Sequence, residues 1–301
     1  MTDFSKVGLY NVQQQPRILF IVGPTASGKS TLAMRIARQF GGEIVCADSQ
    51  TLRRGLDIGT AKPSIEDQRL VTHHMLDIID PYDQYSVANY QTRANHIIDT
   101  VLKQNKLVIV CGGSGLYIDA LYYNYTFSPR TNNQQQRSMY EMLTVDELQC
   151  RVREKGYSMP TNSTNKRHLI GVLLRNGAEP KNRHPREDAV CIGLLPETAE
   201  LRQRINARID RMFNDGLVDE VKRLVTQFGP PPKKLDAIGY PLVADYLQGI
   251  YTLEQVVQLF RTGHWQYARR QKTWFTRHQT IHWCTTIDEA ETILTKMLHN
   301  F

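Results

Sequence analysis

Apolar residues in this chain come in short unbroken runs, separated by stretches with helical spacing. Residues 17–22, RILFIV, are apolar without alternation and stop at Gly23, which predicts a parallel strand buried on both faces. EIVCAD (43–48) predicts a second strand ending in a carboxylate, and HHMLDIID (73–80) a third. KLVIVCGG (106–113), AVCIGLL (189–195) and TIHWC (280–284) predict three more. Between the first two runs, Leu32, Ile36 and Phe40 recur at helical spacing. Residues 86–104 read as a helix with Ser86 as its N-cap, and 114–123 as another. Strands alternating with helices indicate a doubly wound parallel α/β sheet.

The pattern changes near residue 124. Residues 124–188 are polar, with NNQQQR, a helix over 144–155 and the Pro/Asn/Ser-rich stretch SMPTNSTN. This reads as an inserted unit between core segments 1–123 and 189–301. Beyond the return strand, 197–227 read as helices, GPPPKK (229–234) as a stiff break, 252–277 as a long helix and the C-terminus as a final helix.

Composition narrows the class. The 301 residues are 41% hydrophobic and 22% charged, as in soluble globular proteins. No run of 18 apolar residues occurs, and residues 1–15 hold no apolar signal core, so the expectation is a cytoplasmic protein. Cys46, Cys111, Cys150, Cys191 and Cys284 lack metal-like spacing and read as reduced thiols; His73 and His74 read as structural. The net charge of +7 suits a polyanionic partner.

Gly23-Pro24-Thr25-Ala26-Ser27-Gly28-Lys29-Ser30 matches G-x-x-x-x-G-K-[ST] between a predicted strand and a predicted helix. Its glycines let backbone N–H groups converge on phosphate oxygens, and the following helix offers its positive end. Lys29 adds a point charge, and the Ser30 hydroxyl is a candidate ligand for Mg²⁺. The loop alone does not choose between a nucleoside triphosphate, which most such loops bind, and a prenyl diphosphate.

Five further segments carry a resemblance. Residues 48–63, DSQTLRRGLDIGTAKP, resemble the DSxQxYxGxDIGTAKP signature of tRNA dimethylallyltransferases. HHMLDIIDPYDQYSVANY (73–90), VCGGSGLYIDAL (110–121), LDAIGY (235–240) and YARRQKTWF (267–275) are similar to segments of the same family in the same order. The resemblance implies a P-loop kinase-like α/β core with an inserted helical domain that grips the anticodon stem-loop. The implied reaction is attack by N6 of adenosine 37 of tRNA on C1 of dimethylallyl diphosphate. By the motif match, Asp48 is the general base, with Ser114 and Lys29 in the catalytic group. Gly23, Thr25, Ala26, Ser27, Gly28, Lys29 and Ser30 hold the diphosphate, with Mg²⁺ at Ser30.

The predicted helix 252–277 places Arg261, Trp265, Arg269 and Lys272 on one face and Phe260, Tyr267 and Trp274 towards another. The first face, with Arg270, reads as a tRNA contact, and its plain alternative is a solvated basic stripe. Thr51, Arg53, Thr60 and Lys62 are further tRNA contacts implied by the resemblance, and a monomer is expected. Departures are specific. Trp265 stands where the family has an arginine that helps hold diphosphate, and Arg261, one turn earlier, is the proposed substitute. Thr51 and Arg53 replace the family's Gln and Tyr near the acceptor base. In the insertion, HLIGVLL (168–174) replaces RxxRALE without its arginines, and Lys166 and Arg167 precede it. The competing readings are an adenylate prenyltransferase acting on free nucleotide, a nucleotide kinase, and a tRNA-binding homologue that has lost catalysis.

Overall fold

A computed structural model describes residues 16–127, 134–160, 162–177, 184–231, 235 and 237–299. Residues 1–15, Pro232 to Lys234 of the proline-rich break and Asp236 of LDAIGY lie outside the described residues. The chain divides into two compact units, residues 1–122 with 185–301, and residues 123–184.

The first unit is built on one six-stranded parallel sheet. Its strands are β1 (Ile18–Val22), β2 (Glu43–Cys46), β3 (His73–His74), β4 (Val108–Gly112), β5 (Ala189–Leu194) and β6 (His282–Cys284), in the order β3-β2-β4-β1-β5-β6. β1 lies at the centre, with Ile18 paired to Val108 on one side and to Ala189 on the other. Every residue of β1, β4 and β5 is buried, the reason their sequences run apolar instead of alternating. The predicted strand 73–80 shrinks to His73–His74. Met75 and Asp77 adopt positive φ (62° and 52°), turning the chain so that the Ile78 and Ile79 amides donate to Leu52 O.

The helices of this unit are α1 (Lys29–Phe40), α2 (Ile65–Leu70), α3 (Val87–Lys103) and α4 (Gly115–Tyr122). Ser86 caps α3 by accepting the Asn89 amide. α2 was not read from the sequence, although Ser64 and Asp67 form a capping box at its start.

The second unit contains α5 (Gln134–Met142), α6 (Val145–Glu154) and α7 (Lys166–Leu174). Thr144 and Glu147 form a capping box that starts α6. Tyr140, Leu148, Val152, Leu169 and Leu173 make its small core. α5 grows from the polar NNQQQR stretch and α7 from HLIGVLL, neither of which was assigned as helix. Lys166 and Arg167 stand in the first turn of α7, where the Arg167 amide donates to the Asn165 cap.

After β5 the first unit continues with α8 (Thr198–Asn214), α9 (Leu217–Phe228), α10 (Tyr240–Leu247), α11 (Leu253–Phe275) and α12 (Ile287–Leu298). Helices α8 to α11 close over a second core of Leu201, Ile205, Ile209, Val221, Tyr240 and Phe260. No helix of the described residues is long and apolar enough to cross a membrane.

Candidate active site

Three loops leave the carboxyl ends of three adjacent strands, the place where open parallel sheets bind ligands. The P-loop follows β1, Asp48 follows β2, and the Gly112–Gly115 turn follows β4. The P-loop needs its glycine at 28, where φ is +98°, strained for any L side chain. Ala26 also has positive φ, at 62°. The turn ends in α1, which points its N-terminal end at the loop.

These loops line a cleft of about 540 Å³. Thr25, Lys29 and Ser30 form one wall; Asp48, Thr51 and Ser114 stand on its floor. Arg208 from α8, and His264, Tyr267, Arg270, Gln271 and Trp274 from α11, close the other side.

The phosphate end is cationic and under-satisfied. Lys29 Nζ folds back to donate to Pro24 O at 3.1 Å. Burial lowers its pKa first and Arg208 lowers it further, against the raising influence of Cys111 and Asp48. The Arg208 pKa is also lowered, by burial. Its Nη2 reaches Thr60 O at 3.4 Å, while its Nε and the buried Ser27 Oγ find no hydrogen-bond partner among the described residues. Arg204 braces the loop from outside, donating to Ser27 O at 3.3 Å. Half-buried cations and unsatisfied donors around an amide-lined turn fit a bound polyanion.

Ser30 is exposed at the start of α1, with its hydroxyl against the Cys111 thiol. A hydroxyl beside an anion cradle fits the hard-oxygen donor set of Mg²⁺, which keeps several waters and takes phosphate oxygens. Among the described residues no cluster of three His, Cys, Asp or Glu side chains stands ready for a metal.

At the floor, Asp48 Oδ1 accepts the Gln50 amide at 2.8 Å, which sets the carboxylate's orientation. Ser114 Oγ accepts the Ser49 amide at 3.0 Å and meets the Tyr267 hydroxyl. The loop after β4 thereby holds the loop that carries Asp48. Thr51 is buried and donates to Asp48 O at 3.3 Å. Burial raises the Tyr267 pKa, pushes Tyr117 up to about 12 and Cys111 up to about 11, so all three stay protonated near neutrality.

The structure gives several of the expected contact residues partners within the chain. Arg261 does not reach the cleft; its guanidinium pairs with Asp210 of α8 at 2.5 Å. Trp265 packs against the α8–α11 core, with Arg202 5.8 Å over its ring. Lys62 turns inward, 4% exposed, bonded to Arg53 O, Asp57 and Asp77. The Thr60 hydroxyl donates to Leu56 O, though the residue borders the cleft. Arg53 donates to Pro81 O and Asp83 O. Arg269 and Lys272 are exposed, but the single basic face is broken, because Arg261 and Trp265 are committed to α8. Tyr267 and Trp274, placed on the other face of the helix by its spacing, line the cleft.

Four residues were missed. Arg208 carried no signal beyond being one of several arginines in a charged helix. The neutral His264 ring is pushed down to about 4 by burial. It donates Nδ1–H to Phe260 O at 3.1 Å, which leaves Nε2 as an acceptor. Glu220 of α9 accepts the amides of Asp57, Ile58 and Gly59 and the Tyr240 hydroxyl at 2.6–3.2 Å, fixing the IGTAKP loop. Gln271 joins the P-loop to the Gly113 turn.

The IPP transferase family model matches residues 52–279. The chain is 38% identical to tRNA dimethylallyltransferase 1 of Pelobacter propionicus, across 93% of this chain and 96% of that one. It is 36% identical to tRNA dimethylallyltransferase of Alkaliphilus metalliredigens, across 94% and 96%. The crystal structure of tRNA isopentenylpyrophosphate transferase from Bacillus halodurans superposes with a TM-score of 0.72 at 30% identity, covering 95% of this chain and 97% of that one. The family model spans most of the chain and the relatives cover nearly all of it, and the chain belongs to the IPP transferase family.

Proposed function

We propose that this protein is a tRNA prenyltransferase that moves a dimethylallyl group from dimethylallyl diphosphate to N6 of the adenosine beside the anticodon. One observation carries the reading: a strand-end carboxylate, Asp48, and a polyanion cradle with Lys29 and Arg208 open into the same cleft. A kinase requires the cradle, but the family places this chain among prenyl-transferring enzymes.

An exocyclic amine conjugated into a purine is a poor nucleophile, so transfer needs a base at N6 and cations on the leaving group. The N6–C1 bond forms as the C1–O bond to diphosphate breaks, and the N6 proton passes to Asp48. Ser114 holds the Asp48 loop through the Ser49 amide. Lys29, Arg208 and the P-loop amides take the charge that grows on the departing diphosphate. Bound at Ser30, Mg²⁺ would supply further charge neutralisation on the diphosphate oxygens. Arg269, Arg270 and Lys272 are the proposed phosphate contacts on α11, with Lys166 and Arg167 those of the inserted unit. Proposed with these is a cytoplasmic monomer.

The test is transfer of labelled dimethylallyl from its diphosphate with Mg²⁺, offered unmodified tRNA, AMP or ATP. Label on tRNA alone supports the reading. Label on a nucleotide moves the activity to free adenylates, and folded protein that binds tRNA but labels nothing is a binder.

A further inference from the structure

We propose that Gln271 is a positioning residue that sets the distance between the donor cradle and the acceptor wall. The inference rests on the prenyl-transfer reading and deepens it.

Gln271 is 4% exposed, near the C-terminal end of α11. Its amide has one acceptor oxygen and one donor nitrogen, and each is committed to a different loop. Oε1 accepts the Thr25 amide of the P-loop at 2.7 Å. Nε2 donates to Gly113 O at 3.0 Å, in the turn that presents Ser114. The two loops lie 246 and 158 residues away in the chain, so neither contact arises from local folding. Tyr267, one turn earlier on α11, hydrogen-bonds to both Ser114 and Gln271. A Cβ at position 113 would fall 2.1 Å from Gln271 Nε2, so glycine there leaves room for the amide.

Ser114 in turn holds the Ser49 amide beside Asp48. A continuous path of hydrogen bonds therefore runs from the diphosphate loop, through Gln271 and the Gly113–Ser114 turn, to the segment that carries the proposed base. Prenyl transfer requires C1 of the donor and N6 of the acceptor to meet near 3–3.5 Å, and a misplacement of about 1 Å costs on the order of 100-fold. Only glutamine offers this reach with one donor and one acceptor. Glutamate keeps the acceptor for Thr25 but sets an anionic oxygen against the Gly113 carbonyl.

The experiment compares wild type, Gln271→Glu, Gln271→Leu, Ser114→Ala and the double variant Gln271→Leu/Ser114→Ala in transfer to tRNA, with thermal unfolding of each. The expected result for Gln271→Glu is a fall in kcat of roughly 30-fold to 100-fold, with KM for donor and for tRNA within about 3-fold of wild type. The double variant should lose clearly less than the product of the single losses, since both changes disturb one wall. Should Gln271→Leu fail to fold, Gln271→Glu still decides the matter. Unchanged kcat in Gln271→Glu, a loss confined to KM, or a lowered unfolding midpoint with intact turnover each overturns the positioning role. Multiplicative effects with Ser114→Ala overturn it too. A wild-type protein that prenylates no tRNA overturns this inference together with the functional reading, whereas wild-type transfer with one of the preceding outcomes overturns this inference alone.

Discussion

The two sides of the cleft are built differently. The strand-end side, with the P-loop, Asp48 and Ser114, is carried by three loops that each follow a strand and each leave a short local motif. The helical side draws Arg208 from α8 and His264, Gln271 and Trp274 from α11, and depends on contacts made across more than a hundred residues. Backbone-built sites are conserved in geometry by their turns and can be read from a short motif. Side-chain-built sites depend on which face a helix happens to bury.

The sharpest break in that comparison is on the strand-end side. Asp48→Asn keeps the size and removes the basicity, and should lower transfer by at least about 10³-fold while tRNA affinity stays within about 2-fold. Near-normal turnover of the variant would remove Asp48 from the role of base.

The next effect falls on stability. Glu220 satisfies three loop amides and a tyrosine hydroxyl while 3% exposed. Glu220→Ala leaves those donors buried without an acceptor, at a cost of roughly 3 kcal/mol in denaturant unfolding. A change below about 1 kcal/mol would show that water or a shifted loop replaces the carboxylate.

Sequence and structure part company along this same divide. Apolar runs ending at Gly23, Asp48 and Gly113 located β1, β2 and β4 and the loops that follow them, because buried parallel strands and glycine turns leave local marks. Ser86 and Thr252 likewise sit where helices α3 and α11 begin. The helical side was misread where local spacing was the only guide. Arg261 and Trp265 share a helical face with Arg269 and Lys272, yet α8 packs there and takes the first two for itself. Lys62 of IGTAKP is a tRNA contact by the resemblance, but two aspartates and a carbonyl hold its ammonium inside. Arg208 is invisible in sequence because nothing local distinguishes it from Arg202, Arg204 or Arg211. Only the approach of α8 to the P-loop selects it.

That selection is testable by pairing two arginines. Arg208→Gln should raise the donor KM or lower kcat/KM by about 10-fold to 100-fold, the scale of one charge-assisted contact to a diphosphate. Arg261→Gln should leave donor kinetics within about 2-fold and change stability by less than about 1 kcal/mol, since its ion pair is partly exposed. The reverse ranking would restore Arg261 to the diphosphate. On α11, replacing Arg269 and Arg270 together by Gln should reduce the salt dependence of tRNA binding. Two lost phosphate contacts flatten the log K against log salt slope by about 1.4 to 1.8. An unchanged slope would take both arginines off the phosphates.

The smallest effect concerns pH. Burial lowers the Lys29 pKa below the ordinary lysine value, and Arg208 adds to the lowering. The ammonium is present below its pKa and lost as pH rises through it, so donor capture should fall at a lower pH than an ordinary lysine would impose. kcat/KM for the donor reports groups of the free enzyme and is the quantity to follow. Burial raises the pKa values of Tyr117, Tyr267 and Cys111, which moves their ionisation to higher pH. Lys29→Arg keeps a cation at every accessible pH. Its rate should be lower throughout, from altered geometry, but flat where the wild-type profile descends. An alkaline limb that persists unchanged in Lys29→Arg would mean that another group on the cleft wall, and not the P-loop ammonium, controls capture of the diphosphate.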